Sequence, residues 1–344
     1  MDDVIDTKQV KAHLATHYRL HPIAVRVVPL GTETANFRAH LADGTSVFVK
    51  VHRTDSDTSH TRTRLAVSEF ARTGGIPVPA VLPDRHDQLL STDAGIVTSV
   101  WENIDSSDSE PLDMERAKAI GRTLGRLHHR LARYPTRGVA RLTSPWEKSD
   151  PVEVAGQAKN VLAVIDSLSN PTGTDQIRRE QVARRCDDLL AYGEQLKAEL
   201  PSITHQVVHC DYGMHNLLFN WGELRAVIDF RGQVASPAWE LGNIAFNSFT
   251  VARSSCWRQI AMQVIAGYAK EQQRLVGAEL VSCARIALLD AMLALYPINV
   301  LYSSDGKTVR DDGLAAYWND RATMVSTLLD ALPDLEAELA DTFT

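Results

Sequence analysis

The stretch from residue 207 to residue 230, V-V-H-C-D-Y-G-M-H-N-L-L-F-N-W-G-E-L-R-A-V-I-D-F, constrains this chain more than any other. Val207 and Val208 are β-branched and read as the end of a buried strand. His209, Asp211 and Asn216 follow, then a short apolar run from Leu217 to Phe219. Asn220-Trp221-Gly222 is a turn signal, and Leu224 to Phe230 reads as a second strand with Asp229 near its end. The polar groups are therefore gathered at the two loop ends that flank a hairpin.

Such a set suits phosphoryl transfer from a nucleotide. One carboxylate must take the proton of an attacking hydroxyl, and oxygen ligands must hold Mg²⁺ against the phosphates. Asp211 is the candidate base. Asn216, five residues on, offers a neutral oxygen ligand, and Asp229 offers a charged one. A lone His-x-Asp would carry little weight; the joint match at several positions carries much more.

The stretch resembles the phosphotransferase family that contains aminoglycoside phosphotransferases, choline kinases and protein-kinase-fold homoserine kinases. The family's pattern there is H-G-D-x-x-x-x-N followed by I-D-[FW]. Two positions depart from it: Cys210 stands where Gly is usual, and Arg231 follows Asp229-Phe230 where Gly or an acidic residue is usual. Arg231 has two readings, a contact to phosphate or substrate and a pairing with a neighbouring carboxylate. His209 is a supporting residue of the motif.

The resemblance implies an α+β, bilobal protein-kinase-like fold, with an antiparallel sheet in the N-terminal lobe and a mainly helical C-terminal lobe. The expected division is a nucleotide-binding lobe over 1–101, a hinge over 102–113, and a catalytic and acceptor-binding lobe over 114–344. The cofactors implied are ATP and Mg²⁺, and the partner is a small hydroxylated acceptor.

Read in order, residues 6 to 19 form an amphipathic helix, with Val10, Leu14 and Tyr18 recurring every four residues. Strands follow over Ile23 to Leu30, Asn36 to Leu41 and Thr45 to Val51, the last two joined by the tight turn Ala42-Asp43-Gly44. On the third strand Val47 and Val49 share one face, Phe48 and Lys50 the other. By the resemblance, Lys50 reaches the α- and β-phosphates; the alternative is an exposed strand lysine. The loop between the first two strands would cover the phosphates and holds a single glycine, Gly31. A polar loop, 54 to 59, leads to a helix over 60 to 73 that stops at Gly74-Gly75. Glu69 on that helix is the candidate ion-pair partner of Lys50; the alternative is a surface carboxylate. The extended run G-I-P-V-P-A-V-L-P comes next, and strands around Leu89-Leu90 and Gly95 to Trp101 complete the lobe. The polar stretch E-N-I-D-S-S-D-S-E-P is the linker. By the resemblance, backbone groups from Ser99 through Trp101 to Glu102 bind an adenine edge.

Residues 112 to 133 form a helix with Ile120, Leu124, Leu127 and Leu131 on one face, and His128 there reads as structural. Further helices cover 150 to 170 and 175 to 199, and residues 241 to 340 are helical. Glu240 stands where the resembled family carries an Asp that braces the catalytic loop, which makes it a structural candidate.

Bulk properties exclude several classes. Residues 1–100 are charge-balanced, so the net charge of −7 falls entirely in the remainder, which argues against nucleic acid as a partner. The most apolar stretch, Ile286 to Leu301, is interrupted by Asp290 and Pro297 and reads as a buried helix, with no membrane expected. No basic, hydrophobic leader opens the sequence, and four scattered cysteines without a C-x-x-C pair suit a cytoplasmic protein with no zinc site. A protein kinase is disfavoured: Gly213 stands where such kinases carry Lys, and Pro237 follows Asp229 too closely for an activation segment. A non-catalytic nucleotide-binding protein is the remaining alternative to an enzyme. The acceptor is read as an aminoglycoside-like or other hydroxylated antibiotic, with an amino alcohol such as homoserine or choline as the alternative. Oligomeric state is not legible.

Overall fold

A computed structural model describes residues 6–29, 34–52, 58–93, 95–106, 112–272, 274–275, 277–303 and 308–343. Gly31, most of the loop at 54–59 and the linker positions 107–111 lie outside the described residues. In chain order the elements begin α1 (Thr7–His13), β1 (Ala24–Val28), β2 (Thr34–His40), β3 (Ser46–His52), α2 (Thr58–Thr73), β4 (Val81–Leu82), β5 (Ser91–Asp93) and β6 (Ile96–Glu102). Then come α3 (Met114–Leu131), α4 (Pro145–Lys148), α5 (Pro151–Asp166), α6 (Gly173–Ala198), β7 (Gln206–Val208), β8 (Leu217–Asn220), β9 (Glu223–Val227) and β10 (Gln233–Ala235). The chain ends in α7 (Pro237–Ala245), α8 (Ser248–Arg253), α9 (Trp257–Glu271), α10 (Gly277–Val281), α11 (Cys283–Leu293), α12 (Ile298–Leu301) and α13 (Asp312–Phe343). An antiparallel sheet in the N-terminal part and helices in the C-terminal part agree with the expected α+β class.

The chain divides into two compact units. The first is assembled from Met1–Glu110, Arg130–Val139 and His209–Gly232; the second takes Pro111–His129, Ala140–Val208 and Gln233–Thr344. The catalytic-motif stretch thus packs with the N-terminal sheet.

In the first unit the sheet runs β1-β2-β3-β6-β4, with β5 also on β6, all antiparallel. The alternation in β3 works as the sequence predicts: Val47, Val49 and Val51 are buried, while Phe48 and Lys50 face the other way. The valine face packs on Val10, Leu14 and Tyr18. Those three residues lie on α1 and a π-helical continuation, Leu14–Tyr18. Their strict four-residue spacing exceeds the 3.6-residue period of an α-helix, and the wider turn keeps all three on the sheet. The α2 helix ends at Gly74-Gly75, where Gly75 takes φ 83°. The hairpin β8–β9 is tied to the proline-rich run through Val227 N–H donating to Pro77 O at 2.7 Å.

In the second unit, residues 114–129 of α3 lie against α9 at glycines. A Cβ on Gly121 would sit 1.9 Å from the Val264 carbonyl oxygen, and one on Gly267 would sit 2.5 Å from Lys118 O. The helices meet backbone to backbone, which explains a G-x-x-x-G pair (Gly121, Gly125) inside a helix where glycine ordinarily weakens it. Gly121→Ala is therefore expected to lose about 1–3 kcal/mol of stability by overpacking, despite better helix propensity. Gly156→Ala on α5, with nothing within 4 Å of the new Cβ, is expected to gain roughly 0.5–1 kcal/mol. Urea melts of the two variants should move in opposite directions. The apolar run read as one buried helix is two, α11 and α12, separated around Pro297 and largely buried.

Candidate active site

The functional side chains of the first unit are set by β3 and by the loops at either end of the β8–β9 hairpin. Lys50 projects from β3, and its ammonium pairs with the Asp229 carboxylate. The expected strand to Phe230 stops at Val227. Asp229 instead takes φ 61°, a left-handed conformation that ends the strand and turns the carboxylate out of the ladder.

Asn216 is brought to the same place by the hairpin. Its backbone oxygen accepts from Ile228 N–H at 3.0 Å, and Leu217 pairs with Val227. The Asn216 side chain is buried, and its Nδ2 donates to the Asp211 carbonyl at 2.8 Å. Fixing the nitrogen leaves Oδ1 as the ligating end. A carboxylate already seated against a cation, with an amide oxygen from the residue next to its neighbour, is a donor set that fits a hard divalent ion such as Mg²⁺.

His209 is fully buried and holds the loop together. Its Nδ1 accepts from Asp211 N–H at 3.1 Å, so Nε2 carries the proton and donates to Ile228 O at 2.9 Å. Its carbonyl accepts from both Arg231 and Gly232 N–H. The imidazole is thus a tie between the Asp211 loop and the Asp229 segment. Cys210, between them, has φ 65°. That conformation is the physical reason glycine suits the position; from the sequence, only the small size of cysteine was apparent.

Asp211 is flanked by two basic side chains. Arg231 Nε lies 3.5 Å from Oδ2, and His215 Nε2 lies 3.7 Å from Oδ1, an ion-pair distance too long for a direct hydrogen bond. Burial pushes the Asp211 carboxyl up, but His215 and the Arg231 guanidinium outweigh it and hold it below its usual value. The Asp211 carboxylate beside it raises His215. Asp211 therefore contributes stability above the unfolded carboxylate value, lost as pH falls through its lowered folded value. His215 contributes below about 6.5, the unfolded histidine value, and loses it as pH rises through its raised folded value. The arrangement selects the carboxylate reading of Arg231 over a purely external one. Arg231→Ala should move the acid limb of a pH–rate profile to higher pH, with Arg231→Lys intermediate; an unmoved limb would remove Arg231 from this role.

Other expected site residues are placed differently. Glu69 makes a bidentate pair with Arg72, at 2.9 and 3.0 Å from Nε, and accepts from Val81 N–H at 3.3 Å. Ser99 and Trp101 lie on β6, which is laddered to β3 on one side and to β4 at Val100 and Trp101. Glu102 N–H is likewise taken by Ala80 O. Val100 and Trp101 are thus paired on both sides and the Glu102 N–H is engaged; the backbone just past the strand belongs to Asn103 and Ile104. The side chains there do local work: Ser99 Oγ accepts from Trp101 Nε1 at 3.0 Å, and the Trp101 ring centroid is 5.8 Å from Lys50 Nζ. Glu240 belongs to the second unit, where its Oε2 bonds buried His128 at 2.8 Å. His215 was missed in the sequence; its position four residues after Asp211 was the available signal.

The phosphotransferase enzyme family (APH) matches residues 24–275. A search of curated proteins finds no match. Among solved structures, a spectinomycin phosphotransferase in complex with ADP and spectinomycin superposes with TM-score 0.70 at 14% identity, covering 95% of this chain and 98% of that one. An amicoumacin kinase in complex with AMP-PNP, Ca²⁺ and Ami gives 0.64 at 15%, covering 98% and 94%. A microcompartment-associated aminopropanol kinase gives 0.62 at 16%, covering 97% and 100%. At these identities the likeness concerns the fold.

Proposed function

Because the chain belongs to the phosphotransferase enzyme family and is a small-molecule kinase, we propose that it moves the γ-phosphate of ATP to a hydroxyl of a hydroxylated antibiotic of the aminoglycoside kind. The observation that carries this reading is the pairing of Lys50 with Asp229 in the compact unit that also holds Asp211 and Asn216. Lys50 binds the α- and β-phosphates. Asn216 and Asp229 would hold Mg²⁺, and a bound ion would supply charge neutralisation at the phosphates. Asp211 takes the proton of the attacking hydroxyl, and its lowered pKa keeps it ionised and ready across the neutral range. Arg231 orients that carboxylate. The backbone of Asn103 and Ile104 meets the adenine edge.

Two structural neighbours are kinases whose names carry an antibiotic, spectinomycin and amicoumacin, which supports an antibiotic acceptor. The aminopropanol kinase supports the second reading, a metabolic amino alcohol. The test is a mass-spectrometric screen of purified protein, Mg²⁺ and ATP against pooled aminoglycosides, other hydroxylated antibiotics, homoserine, choline and aminopropanol. Phosphate gained by an antibiotic alone supports the first reading, and phosphate gained by an amino alcohol alone replaces it with the second. Intact ATP binding with no product from any acceptor favours a non-catalytic nucleotide-binding role.

A further inference from the structure

Away from these residues, the first unit holds a cluster that phosphoryl transfer does not use. His13 closes α1, His17 lies four residues on in the π-helical turn, and Asp93 ends β5, 76 residues beyond His17. We propose that His13, His17 and Asp93 form a binding site for one divalent transition-metal ion of zinc's chemistry.

The geometry supports it at three levels. One ring nitrogen from each histidine and one Asp93 oxygen lie within 4.8 Å of one another, and His17 Nε2 is 2.9 Å from Asp93 Oδ2. Zinc bonds of about 2.0–2.2 Å place tetrahedral ligand atoms about 3.4 Å apart. From the 4.8 Å spread, closing the set therefore needs a shift of at most about 1.4 Å, shared between the exposed Asp93 side chain and the His17 ring. The spacing is the second level. Histidines four apart on one helix share a face, a spacing that recurs in zinc-binding helices. The two imidazole rings here lie side by side, centroids 4.4 Å apart.

The third level is support from behind. His13 is buried, and its Nε2 is held by Ser91 Oγ at 3.1 Å and Thr98 Oγ1 at 2.8 Å. With Nε2 engaged by these hydroxyls, the ion would take His13 through Nδ1, and the hydroxyls would fix the rotation of the ring. Two imidazoles and one carboxylate select zinc-like ions over Mg²⁺ or Ca²⁺, which prefer all-oxygen sets such as Asn216 with Asp229. Three protein ligands leave the fourth position to water. An ion there would cross-link the N-terminal helix to β5 and so brace the sheet that carries Lys50.

The experiment uses the full chain, stripped with EDTA, dialysed, and titrated with zinc chloride alone by calorimetry. Cobalt absorption would report the coordination geometry, and melting the stability. The proposal expects one zinc per chain, a raised melting midpoint, and tetrahedral cobalt bands. His17→Ala should abolish all three, and Asp93→Asn should weaken zinc binding at least about tenfold. Asp229→Asn should leave the site intact, which separates it from the phosphate-binding ligands. Should His17→Ala fail to fold, Asp93→Asn, an exposed position, carries the decision. Wild type that takes up no zinc, or undiminished zinc binding by Asp93→Asn and by folded His17→Ala, would overturn the assignment.

Discussion

Replacing Asp211 by Asn is expected to lower turnover about 10²–10⁴-fold, the range for losing a positioned general base. The change is nearly isosteric, and Asn216 bonds the Asp211 backbone oxygen, not its side chain. The loop should therefore keep its shape, and nucleotide affinity should stay within a few-fold of wild type. Arg231 and His215 would lose their common carboxylate. Binding measured by calorimetry and single-turnover transfer to the identified acceptor separate the two effects. Full turnover by Asp211→Asn would sink the base assignment; lost nucleotide binding would mean that the loop, not the proton transfer, had failed.

The largest loss of stability is expected in the second unit, at Glu240→Ala. Burial and the neighbouring Glu240 push the Tyr268 hydroxyl well above its usual pKa, so it stays protonated, and in the neutral His128 ring that donates Nε2–H to Glu240 it is Nδ1 that accepts from this hydroxyl at 2.9 Å. His128 Nε2 then carries the proton and donates to Glu240 at 2.8 Å, with both side chains out of solvent. Gln206 completes the chain by donating to the His128 carbonyl. Removing the carboxylate leaves a buried donor without its acceptor, a loss of about 1–3 kcal/mol, and the cavity it opens adds to that loss. Glu240→Gln keeps an acceptor and the volume, so it should lose only about 1–2 kcal/mol. Denaturation midpoints should rank wild type, Gln, Ala. Equal midpoints for Gln and Ala would mean that the hydrogen bond is not what stabilises this cluster.

What could be read from the sequence was whatever repeats or alternates. The valines of β3 and the glycine stop after α2 follow from periodicity and backbone freedom, and the order of Asp211, Asn216 and Asp229 from spacing. What could not be read depends on non-local geometry. Val81 and Leu82 form a strand too short, and too close to prolines, to register as one. Glu69 looks like a partner for a strand lysine, but Arg72, one turn on, reaches it more easily. The left-handed turn at Asp229 has no signal in an aspartate that otherwise continues a strand pattern. His215 gains meaning only when a 3₁₀ turn, Met214–Asn216, folds it back towards Asp211.

The interrupted make-up of the first unit has a consequence for biosynthesis. A nascent chain that has reached residue 110 already contains the sheet and Lys50, but the ribosome must add roughly 120 more residues before Gly232 emerges. At about 5–20 residues per second this delay is on the order of ten seconds. Until then the cradle for Lys50's partner does not exist, and the exposed half-unit is the species a chaperone would meet. A translational stop in that interval yields a fragment that carries Lys50 without Asp229 to seat against it.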